Sequence, residues 1–249
     1  MIESSTLLCE SCGYTLEGLP VGARCPECGT DTELSWPEAR RGSPWQQRPG
    51  ARSLLTTNWL ALRHPASLFR TLRLDIRSGV SLLAVNLLTA SVIFLAPWSG
   101  VLLDSPRRAI QSGHTLRFLR AAAVTVPLQV LAIAGLLLAL TFIEWAGIQF
   151  FARRRGARLC RLAAWQVVAH ASVGWIVSAC AVWLTLILWL NISYFSVFPR
   201  LAAFAGASNW ATAAIPALGG LAGLLVFETL VSIGVRRCRF ANRPRPAPA

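Results

Sequence analysis

The 249-residue sequence has no lysine; all 24 basic residues are arginine. Schiff-base and amine-nucleophile chemistry by lysine is thereby excluded. Methionine occurs once, tyrosine twice and histidine three times, and only 14% of residues are charged. Few side chains remain to act as acid, base or nucleophile. The sequence has no H-E-x-x-H, P-loop or dinucleotide fingerprint. Nor is there a G-x-S-x-G elbow: Ser172 merely follows His170 by two positions, and Ser208 sits in Gly206-Ala-Ser-Asn209. Together these absences predict a protein that is not an enzyme.

What the chain has in excess is apolar surface. Hydrophobic residues make up 54%, and the mean hydropathy is +0.51, well above that of an ordinary soluble domain. The charge is segregated as well. Seven of the 11 acidic residues lie in the first 38 positions, opposed there by Arg24 alone, so that segment carries −6 and the remainder +19.

Chemistry is most legible at the amino terminus. Cys9-Glu-Ser-Cys12-Gly13 and Cys25-Pro-Glu-Cys28-Gly29 are two C-x-x-C pairs separated by 12 residues. Each pair can form a knuckle that aims two thiolates at one ion, and four sulfurs close a tetrahedron. The pattern predicts a zinc ribbon over residues 1–34, with one structural zinc on Cys9, Cys12, Cys25 and Cys28, and with Tyr14, Leu16 and Leu19 as a scant core. Four thiolates leave no open coordination position, so the metal is expected to be structural and not catalytic. Two disulfides would need an oxidising compartment, and Met1 to Leu8 has neither the basic start nor the apolar core of a secretory signal. A redox pair would need a βαβ setting that is missing here. Cys160, Cys180 and Cys238 read as small buried hydrophobes.

Residues 35–62 contain Pro37, Pro44, Pro49, Gly42 and Gly50 and read as a flexible linker. In residues 63–78, Leu68, Phe69, Leu72 and Ile76 share one helical face opposite Arg70, Arg73 and Arg77, which predicts an interfacial helix. Uncharged runs then cover Gly79 to Leu103, Ala121 to Ile143, Leu162 to Pro199 and Leu201 to Phe227. A helix of about 20 residues crosses a hydrocarbon layer of about 30 Å. The expected fold is therefore an all-α bundle over 79–240, with spans near 79–100, 121–143, 165–190 and 211–234, followed by a basic, proline-rich tail at 241–249. The long third run leaves room for a fifth span. Four spans place Arg63, Arg70, Arg73 and Arg77, the cluster Arg153 to Arg161 and the tail arginines on the same side as the ribbon. The positive-inside rule makes that side cytoplasmic. Trp98, Trp145, Trp165, Trp189 and Trp210 read as anchors at the span ends. Gly219 and Gly223 form a small-xxx-small pair, suited first to packing within the chain and second to an oligomer.

Ionisable groups in hydrocarbon are functional candidates by default. Glu144, His170 and Glu228 qualify, with Glu144 and His170 expected near the cytoplasmic interface. A small transporter or permease accessory using Glu228 and His170 is the alternative to a structural reading.

Two resemblances add to this. Cys9-x-x-Cys-Gly-Tyr-Thr-Leu-x-Gly-Leu19, followed by Cys25-Pro-x-Cys-Gly29, resembles the zinc ribbons that open many planctomycete-type membrane proteins, with Thr15 where aspartate is usual. That resemblance implies structural metal binding. The multi-span part, headed by His64-Pro65-Ala-Ser-Leu-Phe69, is loosely similar to Yip1-type domains, which implies membrane organisation and protein partners. The expected protein is a bacterial inner-membrane scaffold with both termini cytoplasmic. Anionic headgroups would meet its arginines, and a protein partner would meet its ribbon. The ribbon's negative charge opposes nucleic acid. The topology is testable: a cysteine appended to the carboxy terminus should resist a membrane-impermeant maleimide in intact cells. Labelling from outside would require an odd number of spans.

Overall fold

The computed structural model describes residues 6–20, 22–96, 115–154, 158–195 and 211–242. Among these, the chain is helical apart from two isolated antiparallel bridges, Leu8 with Thr15 and Arg24 with Asp31. Two 3₁₀ turns, Thr32–Ser35 and Pro37–Ala39, precede eight helices: α1 Pro44–Gln47, α2 Ala51–Arg63, α3 Pro65–Thr71, α4 Ile76–Leu95, α5 Thr115–Arg154, α6 Arg161–Ala171, α7 Val173–Phe195 and α8 Ala211–Arg237. Among the described residues, four stretches are long and apolar enough to cross a membrane: Ile76–Leu95, Ala122–Ala152, Arg161–Trp189 and Pro216–Arg237. The chain is thus an all-α, multi-pass membrane protein with a small amino-terminal cysteine module.

The span limits differ from those read in the sequence, for identifiable reasons. The first span begins at Ile76 because Asp75 caps it: its carboxylate accepts from the Arg77 and Ser78 backbone N–H groups at 3.2 and 3.0 Å. Burial works against that charge, but these bonds and the Arg77 guanidinium prevail and hold Asp75 below the usual carboxylate range. The second span runs past Glu144 to Ala152, since helix propensity does not stop at one acidic side chain. In the third region, α6 and α7 meet at Ser172, whose hydroxyl donates to the Ala169 carbonyl at 2.6 Å. Together they supply one span, Arg161–Trp189. The surplus length is α6, where eight of 11 residues are buried.

The chain packs as two compact units. One gathers Met1–Ala84, Thr141–Val173 and Glu228–Ala249; the other gathers Val85–Leu140 and Gly174–Phe227. In the second unit a seam of small residues joins α7 to α8. A Cβ added at Gly223 would lie 2.1 Å from Ser178 Cα, and one at Gly219 would lie 2.7 Å from the Ala181 carbonyl oxygen. Ser178 Oγ donates to the Gly220 carbonyl at 3.0 Å, and Trp175 stacks on Phe227 with ring centroids 4.8 Å apart. The Gly219/Gly223 pair therefore serves packing within this chain.

In the first unit, residues 35–62 are not a flexible linker. Ser43 and Gln46 form a reciprocal capping box at the start of α1. Trp45, buried beneath it, donates its backbone N–H to the Thr57 hydroxyl oxygen at 2.9 Å and its indole N–H to Ser81 Oγ at 3.0 Å. The proline and glycine content that reads as disorder instead marks cap and turn positions. The interfacial helix expected over 63–78 is also replaced. The segment is split among three helices: α2 ends at Arg63, α3 covers only Pro65–Thr71, Leu72 turns extended, and α4 begins at Ile76. Leu68, Phe69 and Leu72 are buried against protein, since Phe69 meets Gly234 and Cys238 of the α8 end. Ile76, which was to share their face, is exposed.

The cysteine module is fastened to this unit. The Arg40 guanidinium, 3% exposed, donates to both Glu10 carboxylate oxygens at 3.0 and 2.9 Å and to the Leu72 carbonyl at 2.9 Å. Asn242 bonds to both the N–H and the carbonyl of Leu8, donates to the Ser35 carbonyl and gives its own N–H to Glu10. Residues 241–242 are therefore held in place and do not belong to a free tail; positions 243–249, together with Trp98, Trp210 and Ser208, lie outside the described residues. Removing one partner of a buried ion pair strands the other charge, at about 3–5 kcal/mol. Arg40→Met should lower unfolding stability in micelles by that order, and Glu10→Gln, which leaves the more deeply buried Arg40 without its counter-charge, by at least as much. A loss under about 1 kcal/mol for Arg40→Met would mean that the pair does not hold the module.

Candidate metal centre

The two knuckles are built alike. In the first, Cys9 N–H donates to the Tyr14 carbonyl at 2.7 Å and Gly13 N–H to the Cys9 carbonyl at 2.8 Å; in the second, Cys25 and Thr30, then Gly29 and Cys25, repeat these bonds at 2.8 and 2.9 Å. The bridging residues, Leu8 and Thr15 against Arg24 and Asp31, recur at the same spacing. Each knuckle turns through a left-handed glycine, Gly13 at φ +86° and Gly29 at φ +71°, a conformation open to glycine without a Cβ penalty. Gly13 has a second reason: a Cβ there would lie 2.6 Å from the Phe240 ring.

The knuckles face each other and bring their sulfurs together. Cys9 and Cys28 Sγ are 3.6 Å apart, as are Cys12 and Cys25, and all four sulfurs lie within 4.8 Å of one another. Metal–sulfur bonds of about 2.3 Å in a tetrahedron give sulfur–sulfur edges of about 3.8 Å, so the cluster fits one four-coordinate ion. Disulfide bonding would need about 2.05 Å, and all seven cysteines are free. Cys9 and Cys25 are buried with Leu16, and Leu7 and Leu19 pack against them. Tyr14, expected in this core, is 42% exposed; the bridge at Thr15 turns it outward and Leu8 is buried instead.

Protonation differs around the cluster. The Thr30 side chain, and then its backbone N–H, stabilise the thiolate of exposed Cys28 and lower it to about 6, whereas desolvation pushes Cys12 up. Far from the cluster, Cys238 is buried and raised to about 11 by desolvation, against a smaller lowering by Arg40; it is an inert packing residue.

The intramembrane candidates occupy different settings. His170 is sealed inside the first unit, 1% exposed, and not at a wet interface. Its Nδ1 lies 2.9 Å from the Gln166 carbonyl, which can only accept, so Nδ1 carries the proton and Nε2 accepts from Ser43 Oγ at 3.0 Å. This serine–histidine pair resembles a catalytic dyad only in distance. Ser43 is fully buried, and its hydroxyl also accepts from Gln46 N–H at 3.3 Å, so no substrate reaches it. Gln46 and Gln166 extend the network to Asp75, Arg73 and Ser78. Glu144 is half-buried and Glu228 exposed; each lies within electrostatic range of the other, and neither forms an ion pair among the described residues. Sequence reasoning missed Glu10, Arg40, Ser43 and Asn242 altogether. Only Ser43 carried a local signal, the Ser-Pro-x-Gln capping pattern.

No family model, no curated protein and no solved structure matches the chain.

The exposed, lowered thiol sets an order of reactivity. In the folded, metal-loaded protein the exposed Cys28 should alkylate first, while the buried Cys9 and Cys25 react last. Peptide mapping after timed iodoacetamide pulses reads this order, and equal rates for all four would contradict it.

Proposed function

We propose that the protein is a non-enzymatic membrane scaffold that presents a structural zinc ribbon to a protein partner on the cytoplasmic side of a bacterial inner membrane. The observation that carries this is the closed four-sulfur cluster on a module bonded to the membrane body through Glu10, Arg40 and Asn242. An all-sulfur tetrahedral set suits zinc, and a closed set suits a structural role.

The free face of the module gives the recruitment reading its chemistry. Glu10 is consumed by docking and Asp31 pairs with Arg24 at 3.3 Å, leaving Glu17, Glu27, Glu33 and Glu38 exposed. Leu34 and Trp36, 63% and 38% exposed, lie among them in the chain. Apolar anchors rimmed by acid fit a basic protein surface and repel phosphate. The bonds between Leu8 and Asn242 support one side for both described ends of the chain, and the arginine balance supports the cytoplasm. Anionic headgroups would meet the remaining arginines. With both His170 nitrogens engaged, a solute path through Glu228 and His170 lacks its second titrating group.

Purified protein should carry one zinc per chain by elemental analysis, and Cys25→Ser should lose it; stoichiometric iron, or no metal in fresh wild type, would refute the assignment. Glu33→Gln with Glu38→Gln should keep the zinc yet weaken crosslinking to a basic partner captured by the wild type, and undiminished crosslinking would place recruitment elsewhere.

A further inference from the structure

The apolar face that most needs a partner lies on α2, in the stretch that reads as linker. Leu55, Trp59 and Leu62 are 71%, 64% and 41% exposed. At about 100° per residue they fall within a stripe about 60° wide. Thr57 and Ala61, fully buried, point to the opposite side. Arg52 and Arg63, both exposed, flank the stripe along one edge. The helix is therefore held by its small, polar back and offers its large apolar side chains outward, the reverse of a helix folded onto a soluble core.

Two internal rulers fix its depth. Asp75 is the last charged residue before the first span apart from Arg77 in its opening turn, and Gln166 N–H₂ bonds to the Asp75 carbonyl, so Asp75 and Gln166 share a level near the membrane boundary. From Asp75, Ser81 lies about 9 Å further along α4, and from Gln166, His170 lies about 6 Å further along α6, at 1.5 Å per residue. The α1 segment is bonded at both of those deeper points: Trp45 to Ser81, and Ser43 to His170. Thr57 on the back of α2 bonds the Trp45 backbone. The back of α2 is thus tied to the opening turns of two spans, below the level of Asp75, where its outer face meets lipid rather than water.

We propose that α2 lies in the plane of the ribbon-side leaflet, with Leu55, Trp59 and Leu62 at the headgroup–acyl boundary and Arg52 and Arg63 reaching up to anionic headgroups. The occupant is the bilayer itself, argued from continuity with the spans and from the flanking arginines. Helices with this division of side chains insert about 5–10 Å and respond to lipid packing and charge, so the helix would set the module's height above the surface and make it sensitive to the composition of that leaflet.

The test uses full-length, 5-fluorotryptophan-labelled protein in nanodiscs of phosphatidylcholine with phosphatidylglycerol, with Trp59→Phe and Trp36→Phe identifying two of the ten resonances. Dissolved oxygen concentrates in hydrocarbon, and a gadolinium chelate stays in water. Trp59 should relax several-fold more with oxygen than with chelate, and Trp36 the reverse. Trp59 relaxed by chelate as strongly as Trp36 would put the stripe in water and overturn the proposal. Trp59 shielded from both would show a protein surface covering it, a second copy or another chain, and would overturn it equally.

Discussion

The Glu10 carboxylate ties the two halves of this protein's chemistry together. It projects from the first knuckle, between Cys9 and Cys12, and is held by Arg40 and by the Asn242 backbone. A buried guanidinium is tolerable only when its charge and its donors are matched. Arg40 meets that condition with a carboxylate that can be in position only if the knuckle keeps its shape. A module with a core of so few apolar residues cannot keep that shape by burial alone. On the proposed reading, four thiolates closing on one ion would supply what the core lacks, and that closure would reach through Glu10 and Leu8 to the ends of the membrane helices.

From that link the arrangement of the first unit follows. Arg40 also binds the Leu72 carbonyl, which fixes the turn between α3 and the first span. Cys238 bonds the Phe69 carbonyl, bringing in the end of α8. Ser43 and Gln46 then join α1 to α6 through His170 and Gln166. Buried polar networks of this kind specify one arrangement because each unsatisfied member would be costly. The intramembrane histidine that looked like chemistry in the sequence is one of these fasteners.

Some of this was legible in advance and some was not, for physical reasons. Cysteine spacing and uncharged runs are local signals, and they point to the four-cysteine cluster and to four membrane-length helices among the described residues. Arg40, Asn242 and Ser43 act across long separations: Asn242 meets Leu8 across 234 positions, and Ser43 meets His170 across 127. No window of sequence contains both members of such a pair. In 35–62 the proline and glycine density reads as a linker, whereas the capping pair Ser43 and Gln46 starts a helix there. The segment 63–78 misled because an amphipathic face does not say what covers it; protein covers Phe69 and Leu72, where lipid was expected. The long third run was ambiguous until α6 proved to be a buried pillar.

The central claim is that metal closure and the membrane-side unit are one folded structure. Hydrogen exchange followed by mass spectrometry, on the full chain in nanodiscs with and without a zinc chelator, tests it most directly. The claim predicts that chelation unprotects not only the knuckle amides of Cys9, Gly13, Cys25 and Gly29 but also Leu8, Asn242 and the Leu68–Leu72 segment, while α7 stays protected. Exposure confined to the knuckles, with Asn242 and Leu68–Leu72 unchanged, would contradict it.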